Sequence, residues 1–127
     1  MKKLFINLLA ISVLLGFTLQ AEAFRPREHA NTSGELTADA AVLAATGYFY
    51  GISVITDATN AVTMTCYDNA SAASGVKLFG DWVVTTSAID RRQELFPPVP
   101  INVDNGIYCD ITLGAGAMEY AVFYRAK

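Results

Sequence analysis

Residues 61–75 read AVTMTCYDNASAASG. Val62, Met64 and Cys66 alternate with Thr63, Thr65 and Tyr67. A period of two puts the apolar residues on one face of an extended chain, which is the signature of a half-buried strand. Asp68-Asn69, followed by small residues closing on Ser74-Gly75, is loop chemistry. Residues 105–113, NGIYCDITL, repeat the logic. Asn105-Gly106 signals a tight turn. Ile107, Cys109, Ile111 and Leu113 then share a face opposite Tyr108, Asp110 and Thr112. No helical period fits either stretch.

The same pattern extends outward. Tyr48 to Thr56 is aromatic and β-branched, with Tyr50, Ile52 and Val54 expected on one face, and Asp57-Ala58-Thr59-Asn60 is the turn after it. Val76 to Phe79 and Trp82 to Thr86 read as short strands around Gly80-Asp81. Asp90 to Glu94 is charged and expected to be exposed. Pro97-Pro98-Val99-Pro100 excludes a helix or a central strand. Gly114-Ala115-Gly116 turns into a last strand, Glu119 to Arg125. Only Thr37 to Thr46 competes, because its alanines favour a helix that Gly47 would stop. The extended reading, Ala40 to Ala45, is preferred because everything after it is β. Seven to eight short strands with regular turns predict an all-β fold, an antiparallel β-sandwich of jelly-roll-like type, over residues 33–127.

The N-terminus has a different character. Met1-Lys2-Lys3 precedes an apolar run from Leu4 to Phe17, and Ala21-Glu22-Ala23 places small residues before a cleavage point. Charge, apolar run and small-residue site together predict a secretory signal peptide over residues 1–23. The run is about 14 residues, short of the ~20 that span a bilayer. No stable membrane span is expected once the signal is removed. Residues 24–32 are polar and aperiodic and read as a mobile tail.

Composition narrows the function classes. The 127 residues are 53% hydrophobic and 17% charged, with nine Lys+Arg against twelve Asp+Glu. Loss of Lys2, Lys3 and Glu22 with the signal leaves a net charge near −4. An acidic chain without a basic patch argues against nucleic acid as a partner. The two cysteines, Cys66 and Cys109, form no CxxC pair, and with His29 as the single histidine they cannot make an ordinary zinc site. In an oxidising compartment they are expected to pair. Both sit on apolar strand faces, which fits a bridge across the core. Such a bridge closes a loop of about 44 residues, worth about 4 kcal/mol in the chain-entropy model.

Catalytic chemistry is sparse, and no catalytic residue or cofactor is assigned. His29 lies in the tail, away from any nucleophile. Asp68, Asp81, Asp110 and Glu119 are the acids from which a hydrolytic pair would be drawn, yet each reads as a turn former or a solvated strand position. Asp68 and Asn69, with Ser71 and Ser74, form the one loop with cation-ligand chemistry. Asx-turn bonding explains these residues without an ion, so no metal is assigned. The aromatics are more informative. Tyr48, Phe49 and Tyr50 are consecutive, so both faces of their strand carry rings. Together with Trp82 and Tyr108 they are the candidate interface or ligand surface.

The run Val62-Thr63-Met64-Thr65-Cys66-Tyr67-Asp68-Asn69, its Ser/Ala loop to Gly75 and the strand Val76-Lys77-Leu78 resemble a hairpin of small phage virion-associated proteins of the decoration or fibre type. The second half is similar too: Pro97 to Pro100, then Asn105-Gly106-Ile107-Tyr108, Asp110-Ile111-Thr112, and a close on Val122-Phe123-Tyr124. The resemblance covers roughly residues 47–124. It implies an oligomeric β-sandwich structural protein without catalytic residues, here in an exported form, host- or phage-encoded. The expectation is therefore a non-enzymatic structural or assembly protein that associates with itself or within a larger protein assembly. It would be periplasmic, cell-surface or extracellular. The rival expectation is a secreted carbohydrate- or surface-binding module using Trp82 or exposed tyrosines as stacking platforms.

Overall fold

The computed structural model describes residues 30–57, 61–84, 91–113 and 116–127. The expected signal, His29 and the Ala58–Asn60 part of the first turn lie outside the described residues. Ten strands follow one another: β1 (Asn31–Thr32), β2 (Ala40–Leu43), β3 (Gly47–Thr56), β4 (Val62–Asp68), β5 (Val76–Lys77), β6 (Trp82–Val84), β7 (Arg92–Leu95), β8 (Ile101–Val103), β9 (Ile107–Leu113) and β10 (Met118–Ala126). The Ala-rich stretch is strand β2, as expected, but it ends at Leu43.

Two antiparallel sheets pack face to face. Sheet A runs β1-β10-β3, with β7 and β8 both on the free edge of β3. Sheet B runs β2-β9-β4, with β5 and β6 both on the free edge of β4. Ten strands stand where seven to eight were expected because β1, β7 and β8 had no counterpart among the expected strands. β7 takes Ile52–Ile55 of β3 and β8 takes Gly47–Phe49, with Pro97 to Pro100 breaking the line between them. β5 takes Tyr67–Asp68 of β4 and β6 takes Val62–Met64, with Gly80-Asp81 between. Counting each broken edge as one strand leaves eight, ordered first-eighth-third-sixth and second-seventh-fourth-fifth. That is jelly-roll connectivity.

The core lies between the sheets. Phe49, Ile52, Val54, Tyr120 and Val122 from sheet A meet Met64, Cys66, Val84, Ile107 and Cys109 from sheet B, all fully or almost fully buried. Each such side chain contributes roughly 1.5–3 kcal/mol by leaving water. Ser53, Thr56 and Thr65 are the buried polar residues, and among the described residues no buried side-chain polar atom lacks a partner.

Three expectations need correction. Cys66 and Cys109 are bonded, but the bridge does not span the core. They face each other on neighbouring strands β4 and β9 of sheet B, with Cα atoms 4.1 Å apart, and both point into the core. Asn31 and Thr32, expected in a mobile tail, pair with Tyr124 and Phe123 of β10, so order begins before residue 33. The third correction concerns β3. Phe123 pairs with Gly51 but Tyr124 pairs with Phe49, which leaves Tyr50 as an extra residue in a β-bulge. The bulge reverses the alternation, so Phe49, and not Tyr50, shares the core face with Ile52 and Val54. Gly51 makes this possible. Its φ is +155°, and a Cβ there would lie 2.2 Å from the Phe96 ring. Phe96 in turn stands against Phe123, with ring centres 5.4 Å apart.

Candidate functional site

The five aromatic candidates are not brought together. Phe49 is fully buried against Phe79, ring centres 5.7 Å apart, so it cannot form a surface. Trp82 pairs with Met64, whose side chain is in the core, and the half-buried indole packs against that core. Tyr50 is half-buried at the bulge. Tyr48 and Tyr108 are half-buried on the outward faces of different sheets. Of the residues that drew attention in the sequence, Phe49 and Trp82 serve packing.

The outward face of sheet A has a cationic and aromatic end. The Arg125 guanidinium stands 6.0 Å and the Lys127 ammonium 4.9 Å from the centre of the Tyr48 ring. Both approaches are of cation–π type. Lys127 also donates to Asn102 on the neighbouring strand β8. Toward the other end, Arg92 donates to Ser53 at 3.1 Å and pairs with Glu94 at 3.2 Å. A groove of about 400 Å³ there is lined by Ile55, Met118, Asp57 and Glu119 among others. A smaller hollow of about 140 Å³ shares Ile55 and Glu119 and adds Glu35 and Arg92.

The outward face of sheet B is acidic and hydroxylic. Because Cys66 and Cys109 point inward, their neighbours point out. Tyr67 is registered against Tyr108, Thr65 against Asp110, and Thr63 against Thr112. Asp81 accepts from the Thr65 hydroxyl at 2.8 Å and from Lys77 at 2.6 Å. The Lys77 ammonium and the Thr65 hydroxyl hold the Asp81 carboxyl below the usual carboxylate range, and the bond to Asp81 raises Lys77.

The opposite edge of this face is different. Asp39 precedes β2 and sits beside Asp110, since Ala40 is registered against Cys109. Its carboxylate accepts the Ile111 N–H at 2.9 Å, extending the ladder ahead of the first residue of β2. Partial burial pushes the Asp110 carboxyl up, and the charge of Asp39 and a hydrogen bond with it push further. Tyr120 reaches from sheet A to donate to the Ala38 carbonyl at 2.8 Å. Burial raises its phenol, helped by Asp39 and Tyr108. Among the described residues, neither Asp39 nor Asp110 is paired with a cation.

Of the residues singled out as acids or metal ligands, Asp68 and Asn69 serve the backbone. Asp68 accepts N–H groups from Asp104 and Asn105, at 3.1 and 2.7 Å, fastening the β8–β9 turn to the end of β4. Asn69 accepts from Ser71 and Ala72 and donates to Ser74, closing its own loop. Asp57 likewise accepts from Ala117 at 2.8 Å. Asp110 and Glu119 stand on outward positions of different sheets. No group of three or more metal-binding side chains exists among the described residues, and none of their helices is long and apolar enough to cross a membrane.

Sequence reasoning passed over Arg125, Lys127 and Asp39 as surface-forming residues, and placed Tyr67 opposite the cysteine face without counting it among the candidates. A signal existed for Tyr67, whose place opposite Cys66 pairs it with Tyr108 once the two strands are neighbours. None existed for Asp39 beside Asp110, which depends on long-range strand order. No family model, curated protein or solved structure matches this chain.

Proposed function

We propose that this protein is an exported, non-enzymatic structural unit that works by associating with copies of itself or within a larger protein assembly. The observation that carries the reading is the outward patch of Tyr48, Arg125 and Lys127 on sheet A. Aromatic and arginine side chains are the residues enriched in interface cores. The form of the sheet edges supports association by faces. β1 has two residues, β2 has four, and the other two edges are each broken in half. Short, interrupted edges resist strand addition. The use of Asp39, Asp57 and Asp68 as backbone braces agrees with a structural role, and a disulfide agrees with export. The jelly roll hosts both capsid and lectin domains, so fold analogy alone does not choose between assembly and sugar binding.

Light scattering of the purified protein, with and without reductant, tests the reading. A mass of several chains is expected, falling when Tyr48→Ala is introduced. A single-chain mass at all concentrations, together with oligosaccharide binding that Tyr108→Ala abolishes, would replace this reading with the sugar-binding rival.

A further inference from the structure

The two outward faces differ in charge in a way that makes them partners for each other. Both patches lie at the same end of the sandwich. Tyr48 and Arg125 flank Gly47, and Tyr108 follows the Gly106 turn. The two glycines converge there on Leu43: a Cβ on Gly47 would meet its side chain and one on Gly106 its carbonyl oxygen. On sheet A this end carries two cations over a tyrosine ring. On sheet B it carries Tyr67 and Tyr108, and the adjacent carboxyls of Asp39 and Asp110 follow at the middle of β9. No cation among the described residues neutralises that pair, whereas Asp81, on the same sheet, has Lys77. Two carboxyls held side by side gain from a cation brought to them.

We propose that the Tyr48–Arg125–Lys127 patch of one copy docks on the Tyr67–Tyr108–Asp110 face of a second copy of this chain. The inference rests on the self-association reading above and adds its geometry. The contact joins two different surfaces, so it is heterologous. The pair keeps one free patch of each kind, one on each copy, so the assembly grows as a stack or closes as a ring. Its charge component weakens as salt screens the pair.

Charge reversal tests this on the whole protein. One variant carries Arg125→Glu with Lys127→Glu, which makes both faces acidic. The other carries Asp110→Lys with Asp39→Asn, which makes both faces cationic and keeps an acceptor for the Ile111 N–H. All of these positions lie outside the core, and circular dichroism with thermal unfolding confirms that each variant folds. Each variant alone is expected to lose association by at least about tenfold. Mixed in equal amounts, the two should recover an assembly of the parent's size, because each acidic face then meets a cationic one. Lost stability cannot produce that rescue. A parent that assembles while both variants keep its mass, or whose mixed variants stay dissociated, overturns this contact and leaves self-association standing. A parent that is monomeric throughout overturns both readings.

Discussion

Sheet A and sheet B are held together by different means. In sheet A the long strands β3 and β10 pair along nearly their whole lengths, from Gly47 against Ala126 to Thr56 against Met118. Their cohesion is ladder and packing, with Phe96 lying over Gly51 and against Phe123. In sheet B the central pair β4–β9 is shorter and is fastened by the Cys66–Cys109 bond. Carboxylates do the rest, with Asp39 on Ile111, Asp68 on the β8–β9 turn and Asp81 between Lys77 and Thr65. The contrast teaches that sheet A adds long ladders and ring packing to its polar links at Asp57 and Arg92, whereas sheet B adds a covalent bond. The outward faces differ too: sheet A is aromatic and cationic at its Gly47 end, and sheet B is acidic and hydroxylic.

The contrast can be broken at its strongest point first. Replacing both cysteines with alanine should cost about 4 kcal/mol, since the bridge closes a long loop. Chemical denaturation measures the loss. Hydrogen exchange should show β4 and β9 loosening more than β3 and β10, and equal loosening would deny the difference between the sheets. Sheet A has its counterpart in Gly51→Ala. The new methyl strikes the Phe96 ring at a backbone position rare for non-glycine residues, at a cost of about 1–3 kcal/mol. Near-ultraviolet circular dichroism should change with it as Phe96 and Phe123 separate.

Asp68→Ala removes the acceptor for two N–H groups of the β8–β9 turn. A loss of about 1–2 kcal/mol is expected, less than for the bridge because the turn is exposed to water. Faster exchange at Asn105 would locate the effect.

The smallest effect is in pH dependence, and its sign distinguishes two acids on one face. Folding raises the Asp110 carboxyl above its ordinary value near 3.8. Its contribution is therefore fully present below pH 3.8 and is lost as pH rises through the raised value. Asp81 is lowered, so its contribution is present above 3.8 and is lost as pH falls through its lower value. Asp110→Asn should flatten the stability profile just above pH 3.8, and Asp81→Asn should flatten it below. Identical profiles for the two variants would contradict the opposite environments of Asp110, half-buried beside Asp39, and Asp81, exposed between Lys77 and Thr65.

Much of the fold was legible because the deciding strands alternate cleanly. Residues 62–67 and 107–113 have one polar and one apolar face each, and no other structure suits them. The break at Pro97 to Pro100 was legible for the same local reason. The Tyr48-Phe49-Tyr50 run was not, because three rings in a row contain no alternation. Only the bulge at Tyr50, made possible by Gly51, decides that Phe49 goes inward. The cysteine pairing was legible in chemistry but not in direction. Whether two strands are neighbours or face each other across a core depends on the order of all the others. The outward patches share that difficulty: Tyr48 meets Lys127, and Asp39 meets Asp110, through strand order alone.

The central claim is that the two outward faces are complementary, and sedimentation of the purified protein across a range of salt tests it most directly. The account predicts particles heavier than one chain at low salt, shifting toward a single chain as salt rises. A single-chain particle at every salt concentration would contradict it.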